Sequence, residues 1–290
     1  MASTVNRRQL LTMALTGGGM ACATHRPSPQ FAASPRTRLG ASTACLAGMS
    51  LEDAIGQLQR LGFDTIEMIS YTGASHSIGD IPGFDFAQAS PAQRRLVYQT
   101  TRGFRHISAH LPFQDISLFS SNLRDREKGL ARVRSALDGL AYLEGGVATM
   151  HIGPAGQGRQ YRDIWQPMID TLRWLGDYAA RRSILLGIET MQPDSMRDYI
   201  DLISETNHPF VGATIDTGHI RGSRDIGLPA ERRNSDEARR RFNDVLNDLV
   251  TQLADKVLHF HLSDVEPTIW TDHKTIGSGV IDFAQIGRAS

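Results

Sequence analysis

Short apolar runs that finish on a carboxylate or an imidazole recur along this chain, and segments of helical spacing separate them. The run 184–189 (ILLGIE) ends on Glu189, and the run 211–216 (VGATID) ends on Asp216, with His219 three residues on. The run 257–261 (VLHFH) ends on paired imidazoles, two earlier runs end at His110 and His151, and 63–68 (FDTIEM) carries Glu67 near its end. A continuous apolar run suits a strand buried on both faces, as in a parallel sheet covered by helices. Ionisable groups are costly to bury unless paired or bound to a metal. Their repeated place at strand ends points to a site on the carboxyl-end face of a parallel barrel.

The alternation predicts strands over 39–46, 63–68, 106–110, 147–151, 184–189, 211–216 and 257–262. It predicts helices over 50–61, 91–102, 124–143, 162–182, 195–205 and 235–255. Ser50 followed by Asp53 is a box-like helix start. Strands and helices in this order argue for a parallel sheet with right-handed crossovers. The expected fold is an α/β (β/α)8 TIM barrel over 38–290, with strand eight and its flanking helices missing. The Gly/Ser/Asp-rich stretch 73–89 is expected to form a lid.

The 290 residues, 40% of them hydrophobic, are enough for one core. Lys+Arg and Asp+Glu both number 31, so there is no global field to hold nucleic acid, and no nucleic-acid partner is expected. Cys22 and Cys45 suit neither a disulfide framework nor a zinc finger. At the amino terminus, 6–11 (NRRQLL) resembles the twin-arginine export motif, and Ala21-Cys22-Ala23 fits a cleavage site after a modest apolar stretch. That stretch is short of the ~20 apolar residues of a membrane span. Residues 1–23 are expected to be a signal peptide, 24–37 a Pro/Ser linker, and the mature chain periplasmic. A lipidated Cys22 is the alternative, disfavoured by Gly19. Twin-arginine export carries folded proteins, which suits a chain that loads metal before leaving the cytoplasm.

Among the candidate site residues, Glu189 and Asp216 are read as metal ligands and His219 as an imidazole one turn beyond Asp216. The other reading of Asp216 is a helix N-cap. Gly218 is read as the residue that lets the backbone bend there. His259 and His261 lie two apart on a strand and share a side. His261, nearer the strand end, is read as the ligand, and His259 as a satisfied core histidine. Asp264 is placed behind an imidazole. His110 and His151 would bind substrate oxygens or further metal. His273 lies in a Gly-punctuated loop that could reach over the barrel mouth. Glu67 would contact a substrate hydroxyl or form a structural ion pair. Mixed O and N donors suit Mn, Mg, Co or Zn. The cluster Arg232, Arg233, Arg239, Arg240 and Arg241, interleaved with Glu231, Asp236 and Glu237, reads as a solvated helix face. No dinucleotide, Walker or nucleophile-elbow motif is present.

The ordered set FDTIEM (63–68), AHLP (109–112), MHIGP (150–154), GIET (187–190), IDTGH (215–219), HFHLSD (259–264) and IGSGVIDF (276–283) resembles the xylose isomerase-like TIM-barrel superfamily. That group holds sugar phosphate isomerases/epimerases and endonuclease-IV-type AP endonucleases. The resemblance implies Glu189, Asp216 and His261 as three ligands of a divalent metal, with His219 as helper and a fourth, final Glu that is not found here. It implies Glu189 as the group that moves a proton next to the carbonyl of a small sugar or keto-sugar. A keto-sugar lyase or dehydratase would use the same proton abstraction. A non-catalytic, sugar-binding remnant is a further alternative. The endonuclease branch implies three zincs held with the help of His110, His151, His219 and His273, but Thr271 stands where that branch has an Asp.

Overall fold

The computed structural model describes residues 39–76, 79–156 and 158–289, together with a short antiparallel pairing of Thr4–Val5 with Ala33–Ser34. The twin-arginine-like motif and Cys22 lie outside the described residues. Seven strands form one sheet: β1 Ala41–Ser42, β2 Thr65–Ile69, β3 His106–His110, β4 Val147–Met150, β5 Leu185–Glu189, β6 Val211–Asp216 and β7 Val257–His261. They lie side by side in chain order, and every pairing is parallel. The connecting helices are α1 Leu51–Arg60, α2 Pro91–Thr101, α3 Leu123–Tyr142, α4 Trp165–Ala180, α5 Met196–Thr206 and α6 Asp236–Gln252, and α7 Phe283–Ala289 follows β7. This is a TIM-barrel-like α/β arrangement. Among the described residues, β1 and β7 are the sheet edges. No helix among them is long and apolar enough to cross a membrane.

The sheet is strongly curled. Glu67 on β2 and His261 on β7 meet at 2.9 Å although four strands lie between them in the sheet. The interior beneath the site is tightly filled. Thr149 and Thr214 share a hydrogen bond of 3.1 Å between their hydroxyls, passing over Gly187, where a Cβ would stand 2.1 Å from Thr214 Oγ1. The helices start where the sequence supplies a cap. Ser50, Ser90, Ser195 and Ser235 accept the backbone N–H of Asp53, Gln93, Asp198 and Ala238. Each such cap stabilises its helix by roughly 1 kcal/mol.

Three expectations change. The strand expected over 39–46 is cut to Ala41–Ser42, and the chain turns into a 3-10 helix, Thr43–Leu46. The hydroxyls there bond elsewhere: Ser42 accepts Ala44 N, and Thr43 donates to Pro82 O while accepting Ile69 N. Such bonds compete with a sheet ladder. The helix expected over 162–182 is split into a 3-10 turn, Tyr161–Ile164, and α4. Within the stretch 73–89, expected to form a lid, residues 83–84 are packed against the end of β2. Phe84 is buried and its N–H donates to Ile69 O, while Gly83 lies so close to the Tyr71 carbonyl that a Cβ would be 1.9 Å from it.

Asp264 does not orient an imidazole. It is fully buried, and its carboxylate accepts the N–H groups of Val265, Gly277, Gly279 and Ile281. One side chain thereby ties the loop after β7 to the start of α7. Asp264→Ala would leave four donors without their acceptor. The expected loss is about 3–5 kcal/mol, read as a lower urea midpoint at unchanged slope. A loss below about 1 kcal/mol would show that water replaces the carboxylate.

Candidate metal centre

The carboxyl ends of β2 to β7 bring five histidines around two buried carboxylates. Glu189, at the end of β5, is 1% exposed. Its Oε2 lies 3.0 Å from His110 Nε2 and 2.8 Å from His151 Nε2. Its Oε1 lies 2.7 Å from His261 Nδ1 and 3.6 Å from His219 Nδ1. The other face of the His261 ring edge turns to Glu67, with Nε2 2.9 Å from Oε2, and His259 Nε2 lies 3.5 Å from the same oxygen. Among the described residues, no Lys or Arg pairs with either Glu189 or Glu67.

Asp216 divides its two oxygens. Oδ1 accepts the N–H of Gly218 and of His219, at 2.7 and 3.0 Å. Oδ2 stands 3.9 Å from both His219 Nε2 and His261 Nδ1. One oxygen thus holds the turn after β6, and the other faces the imidazoles. Gly218 is needed for space and not for an unusual bend. Its φ is an ordinary −78°, but a Cβ would lie 2.5 Å from Ser263 Oγ. His273 reaches the rim as the loop reading expected, its ring 5.5 Å from that of His219. Asp272 holds the loop there, pairing with Arg221 at 2.7 Å and with His273 at 3.3 Å.

Burial pushes the Glu189 carboxyl up, but His261, His151 and His110 outweigh it and hold the group well below the usual carboxylate range. Glu67 follows the same pattern, burial being outweighed by His261 and His259. Burial pulls His261 down, but Glu67 and Glu189 raise it well above an ordinary imidazole. His110 is raised against its burial by Glu189. His151 differs, because burial wins and lowers it.

A divalent cation fits this donor set. Three groups, His110–Glu189–His261, Glu67–His259–His261 and Asp216–His219–His273, each hold ligand atoms within 4.8 Å of one another. Donors at 2.0–2.2 Å from one ion stand at most about 4.4 Å apart, so little movement is needed. Nδ1 of His151 is also buried with no hydrogen-bond partner. A carboxylate held in the interior by imidazoles alone suits a metal site, because the ion supplies positive charge without protonating the ligands.

A family model described as xylose isomerase-like TIM barrel matches residues 55–289. The chain belongs to this family. A curated relative, the uncharacterized protein MJ1311 of Methanocaldococcus jannaschii, is 26% identical over 191 residues, covering 62% of this chain and 58% of its own length. The chain therefore spans less than two thirds of that relative. A solved D-tagatose 3-epimerase-like protein superposes with TM-score 0.64 at 19% identity, covering 86% of this chain and 84% of its own. An L-ribulose 3-epimerase superposes with TM-score 0.61 at 16% identity, covering 87% and 76%. These likenesses are of fold.

Within this family member, sequence reasoning missed three parts of the site. His259 is not a core histidine apart from the site, since it meets His261 edge-on at 5.2 Å and shares Glu67 with it. The period of two that put both rings on one face was the available signal. Phe113 meets His110 edge-on at 5.0 Å and His151 at a tilt at 5.2 Å, and Tyr71 packs edge-on against it at 5.6 Å, which makes an aromatic wall. The Arg221–Asp272 bridge had no local signal. The clustered charges predict the pH dependence of the metal-free chain. His261 is raised, so its contribution is complete below its ordinary pKa of 6.5 and is lost as pH climbs through its folded value. The depressed Glu189 and Glu67 contribute above their ordinary 4.5, and that contribution is lost as pH falls through their folded values. In chelator, thermal stability should peak between these limits. Added divalent metal should stabilise more at pH 8 than at pH 6, because protons compete less for the ligands. A chelated chain whose melting temperature rises from pH 6 to pH 8 would contradict this charge assignment.

Proposed function

We propose that this chain is a metal-dependent sugar isomerase/epimerase that moves a proton on the carbon next to a carbonyl. The observation carrying this reading is Glu189, a buried carboxylate ringed by His110, His151 and His261. The two structural neighbours, a D-tagatose 3-epimerase-like protein and an L-ribulose 3-epimerase, support it. Glu189, Asp216 and His261 would hold the ion, with His219 beside Asp216. His110, His151 and His273 would place the substrate or hold a further ion. A divalent ion bound there would polarise the carbonyl and its neighbouring hydroxyl. Glu189 would take the C–H proton while the bond's electron pair moves into the carbonyl, and return of a proton to carbon would complete the exchange. Glu67 would hold the His261 ring in register and fix which nitrogen faces Glu189. Phe113 and Tyr71 would shield one side from water.

The test is deuterium exchange from solvent into a ketose, with the metal-loaded full chain. Exchange at the carbon beside the carbonyl is expected, falling about 10²–10⁴-fold in Glu189→Gln. No exchange with any keto-sugar in a folded, loaded chain would sink the proposal. The three donor groups favour a second reading, a three-ion hydrolytic centre of the endonuclease type. Elemental mass spectrometry separates the two: about one ion per chain fits the isomerase, and about three fit the hydrolase. In a calorimetric metal titration Glu67→Gln should weaken binding about 10–100-fold. Unchanged affinity would remove Glu67 from the positioning role.

The amino-terminal pattern supports export through the twin-arginine route after metal loading. Replacing Arg7 and Arg8 by Lys should retain the chain in the cytoplasm, and undiminished export would rule that route out.

A further inference from the structure

Past the imidazoles, the turn that carries His219 walls a cavity of about 310 Å³. Arg221, Arg224, Arg233 and Trp270 line it, together with the small residues Gly222 and Gly227. Its side chains are rich in donors. Arg221 is paired with Asp272 and Arg224 with Asp198, each at 2.7 Å. Arg233 has no carboxylate partner among the described residues. Its Nε is buried with no hydrogen-bond partner, and its guanidinium lies 5.3 Å from the centre of the Trp270 ring. The Trp270 indole is 1% exposed, and its Nε1–H is likewise buried without an acceptor. Two buried donors at one cavity therefore lack an acceptor, and leaving them so is costly. A neutral hydroxyl would satisfy such a lining weakly, whereas an oxyanion matches the guanidinium fork and takes the indole N–H as well.

Trp270 also has φ 58°, in the left-handed region that a bulky residue rarely occupies. The loop holds that conformation while keeping the ring in the cavity wall, and such strain concentrates at functional sites. The cavity is coupled to the metal centre. Arg221 lies two residues past His219 in the 3-10 turn His219–Gly222, about 4 Å along its axis. Asp272 joins the two, holding Arg221 with one oxygen and His273 with the other.

We propose that this cavity receives the oxyanion of the substrate, a phosphate monoester or a carboxylate, while its carbonyl end lies at Glu189. The chain would then act on an acidic keto-sugar derivative in preference to a neutral ketose. This rests on the isomerase/epimerase reading for the second half of the statement only; the anion site stands on the cavity itself. The first measurement is calorimetric titration of inorganic phosphate into the full chain held metal-free by chelator, in wild type, Arg233→Gln and Arg224→Gln. Binding is expected in wild type and at least tenfold weaker in Arg233→Gln. Arg224→Gln, which alters a more exposed side chain, gives an independent loss should Arg233→Gln fold poorly. Phosphate binding that is absent, or equal within twofold in wild type and both variants, overturns the site.

The second measurement is deuterium exchange with a ketose phosphate, a keto-sugar acid and the matching neutral ketose. A KM at least tenfold lower for either acidic substrate supports the proposal, and the better of the two identifies the oxyanion. That gap should close in Arg233→Gln. Equal KM for acidic and neutral substrates overturns the substrate assignment. Arginine-dependent phosphate binding without exchange on any keto-sugar would keep the anion site and refute the isomerase reading. Exchange on neutral ketoses with no arginine-dependent binding would do the reverse.

Discussion

Glu189 is a carboxylate in the interior whose ionic partners among the described residues are all histidines. That single arrangement sets the terms for the rest of the centre. A buried carboxylate with no Lys or Arg beside it must draw its counter-charge from imidazolium or from a bound cation. His110, His151 and His261 converge on it from three different strands, so the curl of the sheet and the electrostatics of the site are one constraint. If β7 slipped by one residue, His261 would leave the interior, and both Glu189 and Glu67 would lose their shared partner.

A second carboxylate holds the loops. Asp264 gathers four backbone N–H groups after β7, and its loop then carries Trp270, Asp272 and His273 to the rim. Asp272 in turn joins His273 to Arg221. A chain of local bonds therefore runs from a buried anchor to the edge of the metal centre and on to the arginine-lined cavity. The imidazole ring and that cavity have opposite chemistry. The first is built on carboxylates and suits a cation, and the second on unmet donors and suits an anion. A polar substrate lying across both would meet each with its matching end.

Much of this was legible in the sequence. The strands β2 to β7 were readable because strands covered on both faces leave continuous apolar runs, and the helix starts because a Ser cap bonds only three residues ahead. Glu189, Asp216, His110, His151, His219, His261 and His273 were readable as candidates because ionisable groups stand out at or just beyond the ends of such runs, and the structure brings them together. β1 was misread because Ser42 and Thr43 spend their hydroxyls on turn contacts, one of them with Pro82, far along the chain. His259 was set aside because a sequence does not say which carboxylate faces the ring.

The sequence by itself determined the order of elements and the kinds of ionisable group at the strand ends, since both follow from hydrophobic period and local capping. Only the tertiary structure decided the partners. It put Glu67 of β2 behind His261 of β7, Phe113 against two imidazoles, and Arg221 against Asp272. Those contacts depend on how far the sheet curls and where the loops return. Curl and loop return are fixed by packing among residues distant in the chain, and no local pattern encodes them.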